Sequence, residues 1–179
     1  MAVKLITGIK NFVGLAADSK PTGVPVGSTF LEYDTNIRSI TYDGTNWEIT
    51  EVGSIVCDTT IDLQQAAATY DLYTATTGTV YVQSFMLTMP SSPDVTDDAT
   101  ITSISIQTDT TTVIELLSAA NGAKANLIAD TEFAYTTPFY LPVGNKIQLT
   151  IAGGAADAST VCDVTARYIP VPSASYLAP

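Results

Sequence analysis

Apolar and polar residues alternate along this chain in short stretches, and Gly, Pro, Asn and Asp break the stretches apart. Alternation over four to eight residues marks a half-buried strand rather than a helix. The cleanest cases lie near the C-terminus. Ile147, Leu149 and Ile151 alternate with Lys146, Gln148 and Thr150, and Cys162, Val164, Ala166 and Tyr168 alternate with Asp163, Thr165 and Arg167. In both, the apolar set is expected to face a core. Further strands are predicted over 55–58, 70–75, 79–89, 99–107, 124–128, 132–135 and 138–141. The alternation slips near Gln83-Ser84, which predicts a bulge. Residues 63–68 predict one helical turn. Residues 112–119 start as a strand (Thr-Val-Ile) and end with helix-forming Glu-Leu-Leu-Ser-Ala. Pro90 to Asp98 and Gly153 to Asp157 read as loops.

Nearer the N-terminus, three short runs over 29–33, 37–42 and 47–49 are separated by Asp34-Thr35-Asn36 and Asp43-Gly44-Thr45-Asn46. Asp-Gly between alternating runs is a strong hairpin signal. Alternation groups Leu31 with Tyr33, Ile40 with Tyr42 and Trp47 with Ile49 as an apolar face, leaving Phe30 and Ile37 as exceptions on the other side. The preceding Lys20–Gly27 segment is kept extended by Pro21 and Pro25 and reads as an arm. Residues 3–9 read as a further short arm or edge strand. Strands this short are not stable alone, so their apolar face must lie on the rest of the chain or on another subunit. The interface candidates are therefore Pro21, Val24, Pro25, Phe30, Leu31, Tyr33, Ile40, Tyr42 and Trp47. Tyr176 and Leu177 join them, from a proline-rich tail over 170–179 that reads as an extended arm unable to continue the sheet.

The expected fold is all-β: a jelly-roll-like β-sandwich preceded by an extended N-terminal arm and a small three-stranded β-meander. The division expected is 1–52 for arm and small sheet, 53–169 for the sandwich and 170–179 for the tail.

Composition narrows the chemistry. With no histidine, every Ser-His, Cys-His and His-metal arrangement is absent. No phosphate-binding glycine loop or nucleophile elbow occurs. An enzyme is not expected, nor a cofactor or resident metal. The acidic pairs Asp130 with Glu132 and Asp97 with Asp98 suit a solvated surface better than a glycosidase cleft. Asp94, Asp97 and Asp98 offer oxygens for a cation without EF-hand spacing and read first as a polar loop. Tyr33, Tyr42 and Trp47 would stack on sugars if their shared face were exposed. A net charge of −11, from 7 Lys+Arg against 18 Asp+Glu, repels phosphate backbones, so no nucleic-acid partner is expected. No apolar run is long enough to span a membrane, and Lys10-Asn11 interrupts the N-terminal apolarity, so no secretory leader is expected. Cys57 and Cys162 read as two buried thiols or, alternatively, as a disulfide between the first and last sandwich strands. Charged residues make up only 14% of the chain against 46% hydrophobic, which suits a protein packed against neighbours.

The wording AADSKPTGVPVGSTFLEYDTN…ITYDGTNWEI resembles a segment of tailed-phage virion proteins, among them capsid decoration proteins, head fibres and tail-fibre components. In these a KPTG-P-G-F-E-D…YDGT-W phrase precedes a β-structured domain. The resemblance covers about a fifth to a quarter of the chain, and the run CDTTIDLQQAAATYDLYTATTG before VYVQSFMLT is similar to the opening of a phage β-sandwich. It implies a virion structural role on the capsid surface, made in the host cytoplasm, with the major capsid protein as partner and a homo-oligomer, commonly a trimer. The function it points to is capsid decoration (cement); the alternative is a receptor- or glycan-binding module of a head or tail fibre.

Overall fold

The computed structural model describes residues 8–52, 54–91, 100–153, 159–171 and 175–179. Most of the arm over 3–9, the Asp94–Asp98 loop, the boundary at Gly53 and most of the Gly153–Asp157 loop lie outside them. The chain divides into two compact units, Met1–Ile55 and Val56–Pro179.

The first unit is a four-stranded sheet in the order β1-β2-β3-β4, formed by Asn11–Gly14, Thr29–Glu32, Ile37–Thr41 and Trp47–Val52. The meander β2-β3-β4 is antiparallel throughout. β1 adds a fourth strand, parallel to β2, with Phe12 beside Phe30 and Val13 beside Leu31. Asn11, read in the sequence as a break, opens this strand. Its side-chain oxygen accepts the Thr29 hydroxyl at 2.7 Å.

The second unit is a two-layer sandwich. One sheet runs β10-β7-β13-β5, where β5 is Ile55–Asp62, β7 is Val80–Thr88, β10 is Glu132–Tyr135 and β13 is Val161–Pro170. β11 (Phe139–Leu141) also pairs with β7. The other sheet runs β14-β6-β12-β8-β9, with β6 at Thr69–Thr76, β8 at Ser103–Thr108, β9 at Glu115–Leu117, β12 at Lys146–Ala152 and β14 at Tyr176–Ala178. If β10 and β11 count as one strand and β14 is set aside, chain order gives sheets 1-8-3-6 and 2-7-4-5. That order is the double Greek key of a jelly roll.

The core is made by the clean alternations. Ile147, Leu149, Ile151, Cys162, Val164 and Ala166 are all buried, as are Ile104 and Ile106 on β8. Burying each of the isoleucine, leucine and valine side chains contributes about 1.5–3 kcal/mol. The bulge expected near Gln83-Ser84 is present: Arg167 pairs with Ser84 and Tyr168 with Val82, so Gln83 is skipped. A second register shift, between Ile147 and Gln148, skips Leu72 and turns both Leu72 and Tyr73 inward. Tyr73 then reaches across the sandwich. Its hydroxyl donates to the Val164 carbonyl at 2.6 Å and lies 2.9 Å from that of Cys57. Burial pushes its pKa well above the usual tyrosine range.

At the end of β5, Asp62 collects the amides of Gln64 and Thr160, both at 2.9 Å, and the Ser159 hydroxyl at 2.7 Å. Burial opposes its charge, but these donors outweigh that and hold the carboxyl below its usual range.

Several expectations are corrected. Lys124–Asn126 is a turn of 3-10 helix rather than a strand. Residues 63–68 form bends and no helical turn. The ambiguous 112–119 segment supplies only the three-residue strand β9. The tail returns to the sheet: Leu177 pairs with Ala75 and is 3% exposed, so it belongs to the core. Both cysteines are free thiols, as in the first of the two readings, and the alternative disulfide is absent. Cys57 is half-buried, its Sγ 3.5 Å from the Leu177 carbonyl, while Cys162 is buried with Sγ 3.5 Å from Met89 Sδ.

Candidate functional site

The interface candidates of the first unit fall on two opposite faces of its sheet, and the burial is the reverse of the sequence expectation. Phe30, Glu32, Ile37, Ser39 and Thr41 are buried, whereas Tyr33, Arg38 and Tyr42 are exposed and Leu31 and Ile40 are half-buried. The two residues taken as exceptions, Phe30 and Ile37, mark the true inner face.

What covers that face is the segment read as a free arm. Residues 20–28 fold back over the sheet as a strap, fixed at both ends and in the middle. The Trp47 indole donates to the Pro21 carbonyl at 2.9 Å. The Val24 amide donates to Gly44 at 3.1 Å and the Gly27 amide to Thr41 at 2.7 Å. Under the strap, Trp47 meets Phe12 and Phe30 edge-on, at centroid separations of 6.2 and 6.0 Å. Lys20 lies 5.2 Å from the Phe30 ring centre and pairs with Glu32 at 2.6 Å. The other Glu32 oxygen accepts the Thr35 hydroxyl at 2.6 Å. A buried carboxylate is costly unless paired in this way. Pro21, Val24 and Pro25 are consequently half-buried in their own unit rather than extended toward a partner.

The β3–β4 turn is the strap's anchor. Asp43 Oδ1 accepts the amides of Thr45 and Asn46 at 2.8 and 2.7 Å, and Oδ2 accepts the Asn46 side-chain amide at 2.6 Å. These bonds, the Asn46 amide first, lower its pKa to about 2. Gly44 has φ of +81°, and a Cβ there would stand 2.3 Å from the Val24 carbonyl oxygen. Only glycine permits both the turn and the strap's close approach.

The face left uncovered carries Val13 (67% exposed), Tyr33 (61%) and Tyr42 (59%) around half-buried Leu31 and Ile40. Val13 pairs with Leu31 and Leu31 with Arg38, while Ile40 pairs with Thr29, so Arg38 stands on this face among the apolar side chains. Such a surface can bury apolar area against another molecule; it offers no reactive group. Trp47 is on the other face, and Tyr33 and Tyr42 lie at opposite ends of β2 and β3, roughly 20 Å apart at strand rise. Phe30 and Leu177 are core residues, and Tyr176 is about half exposed beside Leu177.

Val13 was missed as a candidate, because β1 was expected further upstream. Asp130 and Glu132 are both exposed. Among the described residues no three His, Cys, Asp or Glu side chains are placed to share a metal ion, and no helix is long and apolar enough to cross a membrane.

No protein-family model and no curated protein matches the chain. Among solved structures, the chain is similar to the infectious bursal disease virus VP2 subviral particle. The TM-score is 0.31 and the identity 15%, over 89% of this chain and 44% of that one. The chain thus spans less than half the length of that protein. With a superposition this loose, the jelly-roll assignment rests on the strand order itself.

Proposed function

We propose that this chain is a non-enzymatic virion structural protein that decorates the outside of a phage capsid and stabilises the shell. The observation that carries the reading is the uncovered face bearing Val13, Leu31, Tyr33, Ile40 and Tyr42, on a sheet whose other face is already closed by its own strap. A surface built this way has no work to do inside its own unit. The phage-like wording falls on the same unit, between Ala16 and Ile49. Binding of this face to the major capsid protein would raise shell stability by mass action, and a homo-oligomer, a trimer by the resemblance, would multiply it through effective concentration.

Of the fibre alternative, the reading in which these aromatics stack on one sugar has less support. One of its three aromatics, Trp47, is under the strap, and the other two stand too far apart to hold one sugar.

The test is co-sedimentation of the protein with undecorated capsids, wild type against Y33S/Y42S. Both tyrosines are exposed, so the double variant keeps its fold. Stoichiometric binding by the wild type, weakened at least tenfold in the variant, supports the reading. No binding by the wild type, or equal binding by both, overturns it.

A further inference from the structure

The outer face of the β5-β13-β7-β10 sheet carries a strip with a charge at each end and an apolar centre. Along the middle of β13 the outward residues are Asp163, Thr165 and Arg167, with Val161 and Ile169 beyond them at the strand ends. At the Arg167 end, Val56, Met86 and Ala134 line a depression of about 270 Å³, with Ser84 and Thr136 on its walls. At the other end, Asp58, Thr60 and Asp163 line a second depression of about 540 Å³. Thr165 lines both, so they adjoin across it. Among the described residues, Arg167, Asp58 and Asp163 have no ion-pair partner. One cation at the end of an apolar groove, in a chain of net charge −11, is placed to receive a carboxylate.

We infer that this strip binds an extended segment of a partner protein. The segment carries a basic and an acidic side chain four residues apart, with a small apolar side chain midway. The spacing follows from β13 itself. Asp163 and Arg167 are four residues apart, about 13 Å at strand rise, and every second side chain of an extended ligand points to the same side. The acidic side chain pairs with Arg167, the apolar one fills the groove between Val56, Met86 and Ala134, and the basic one lies between Asp58 and Asp163. A second copy of this chain is a poorer occupant. Packed about a two-fold axis, it would also bring each Arg167 to an acidic end. It leaves one acid of each strip unpaired, however, and adds another chain of net charge −11, so a segment carrying its own base and acid matches the strip better. The inference rests on the sandwich alone and does not depend on the virion reading.

The test uses the full-length protein and the blocked heptapeptide Thr-Lys-Thr-Val-Thr-Glu-Thr, titrated into the ¹⁵N-labelled chain. Saturable shifts confined to Val56, Asp58, Met86, Ala134, Thr165 and Arg167 are expected. R167E should weaken binding at least tenfold and R167Q less. A peptide with Lys in place of Glu should bind R167E better than it binds the wild type. Absence of saturable shifts at millimolar peptide, or binding indifferent to R167E, overturns the inference. So does self-association of the wild type, measured by sedimentation without peptide, that R167E abolishes.

Discussion

Two adjacent residues shape the turn that anchors the strap. Asp43 accepts four hydrogen bonds, from the Thr45 and Asn46 amides, the Asn46 side chain and the Thr41 hydroxyl, and Gly44 gives the strap room to close. Because the fold depresses the Asp43 pKa, its contribution to stability is complete above the unfolded value near 3.8 and is lost as pH falls toward about 2. An NMR titration of the Asp43 carboxyl should give a midpoint near 2, and a midpoint near 3.8 would show that the turn is not formed as described. Gly44→Ala confronts both a positive φ and the Val24 carbonyl, so it should cost about 1–3 kcal/mol or more. Trp47 is the only tryptophan and lies under the strap. Strap opening in G44A is therefore expected as a red shift of its emission, with the far-UV β signal of the sandwich unchanged.

At the level of elements, the strands that were easiest to read are those with one wet face. β12 and β13 alternate over their full length because one side meets the opposite sheet and the other meets water. The small sheet misled for the opposite reason. Both of its faces carry large apolar groups, Phe30 and Ile37 on one and Leu31, Ile40 and the tyrosines on the other. Alternation finds such a strand but cannot orient it. The deciding element was the strap, whose hold on the sheet depends on backbone bonds such as Gly27 to Thr41 that leave no side-chain pattern. The exposed row of the candidate site was thus legible residue by residue, in Leu31, Tyr33, Ile40 and Tyr42, while its relation to the core was not. The tail misled similarly, since its prolines obscured a strand of only three residues. That strand matters through Leu177, which fills the sandwich margin and whose carbonyl meets Cys57. Leu177→Ala should cost about 2–5 kcal/mol. It should also raise the rate at which a thiol reagent labels Cys57 under native conditions. A labelling rate equal to wild type would mean that β14 does not shield the thiol.

For the whole molecule, the ionisable groups set limits on both sides of neutrality. Asp43, Asp62 and Asp71 have pKa values lowered by the fold, Asp71 chiefly through its bonds from Lys146 and Gln148. Groups of this kind stabilise the protein above their unfolded pKa and cease to do so as pH falls below it. Tyr73 and Cys162 are raised, the thiol to about 12, chiefly by burial. Their contribution has the opposite sign: complete below the unfolded thiol value of 9.0 and lost as pH rises through the folded one. Stability should therefore be nearly flat from about pH 5 to 8, fall below pH 4 and fall again above pH 9. Solubility follows a different course, because net charge passes through zero at about pH 4.1, where mutual repulsion between copies vanishes. Near that pH the acid loss of stability has only begun. The chain should precipitate there while still folded, and redissolve on return to pH 7 with its thermal transition unchanged. Circular dichroism of the redissolved protein, set against a thermal scan at each pH, separates the two effects. A stability maximum at pH 4 would show that relief of charge repulsion, rather than the bonded carboxylates, governs this fold.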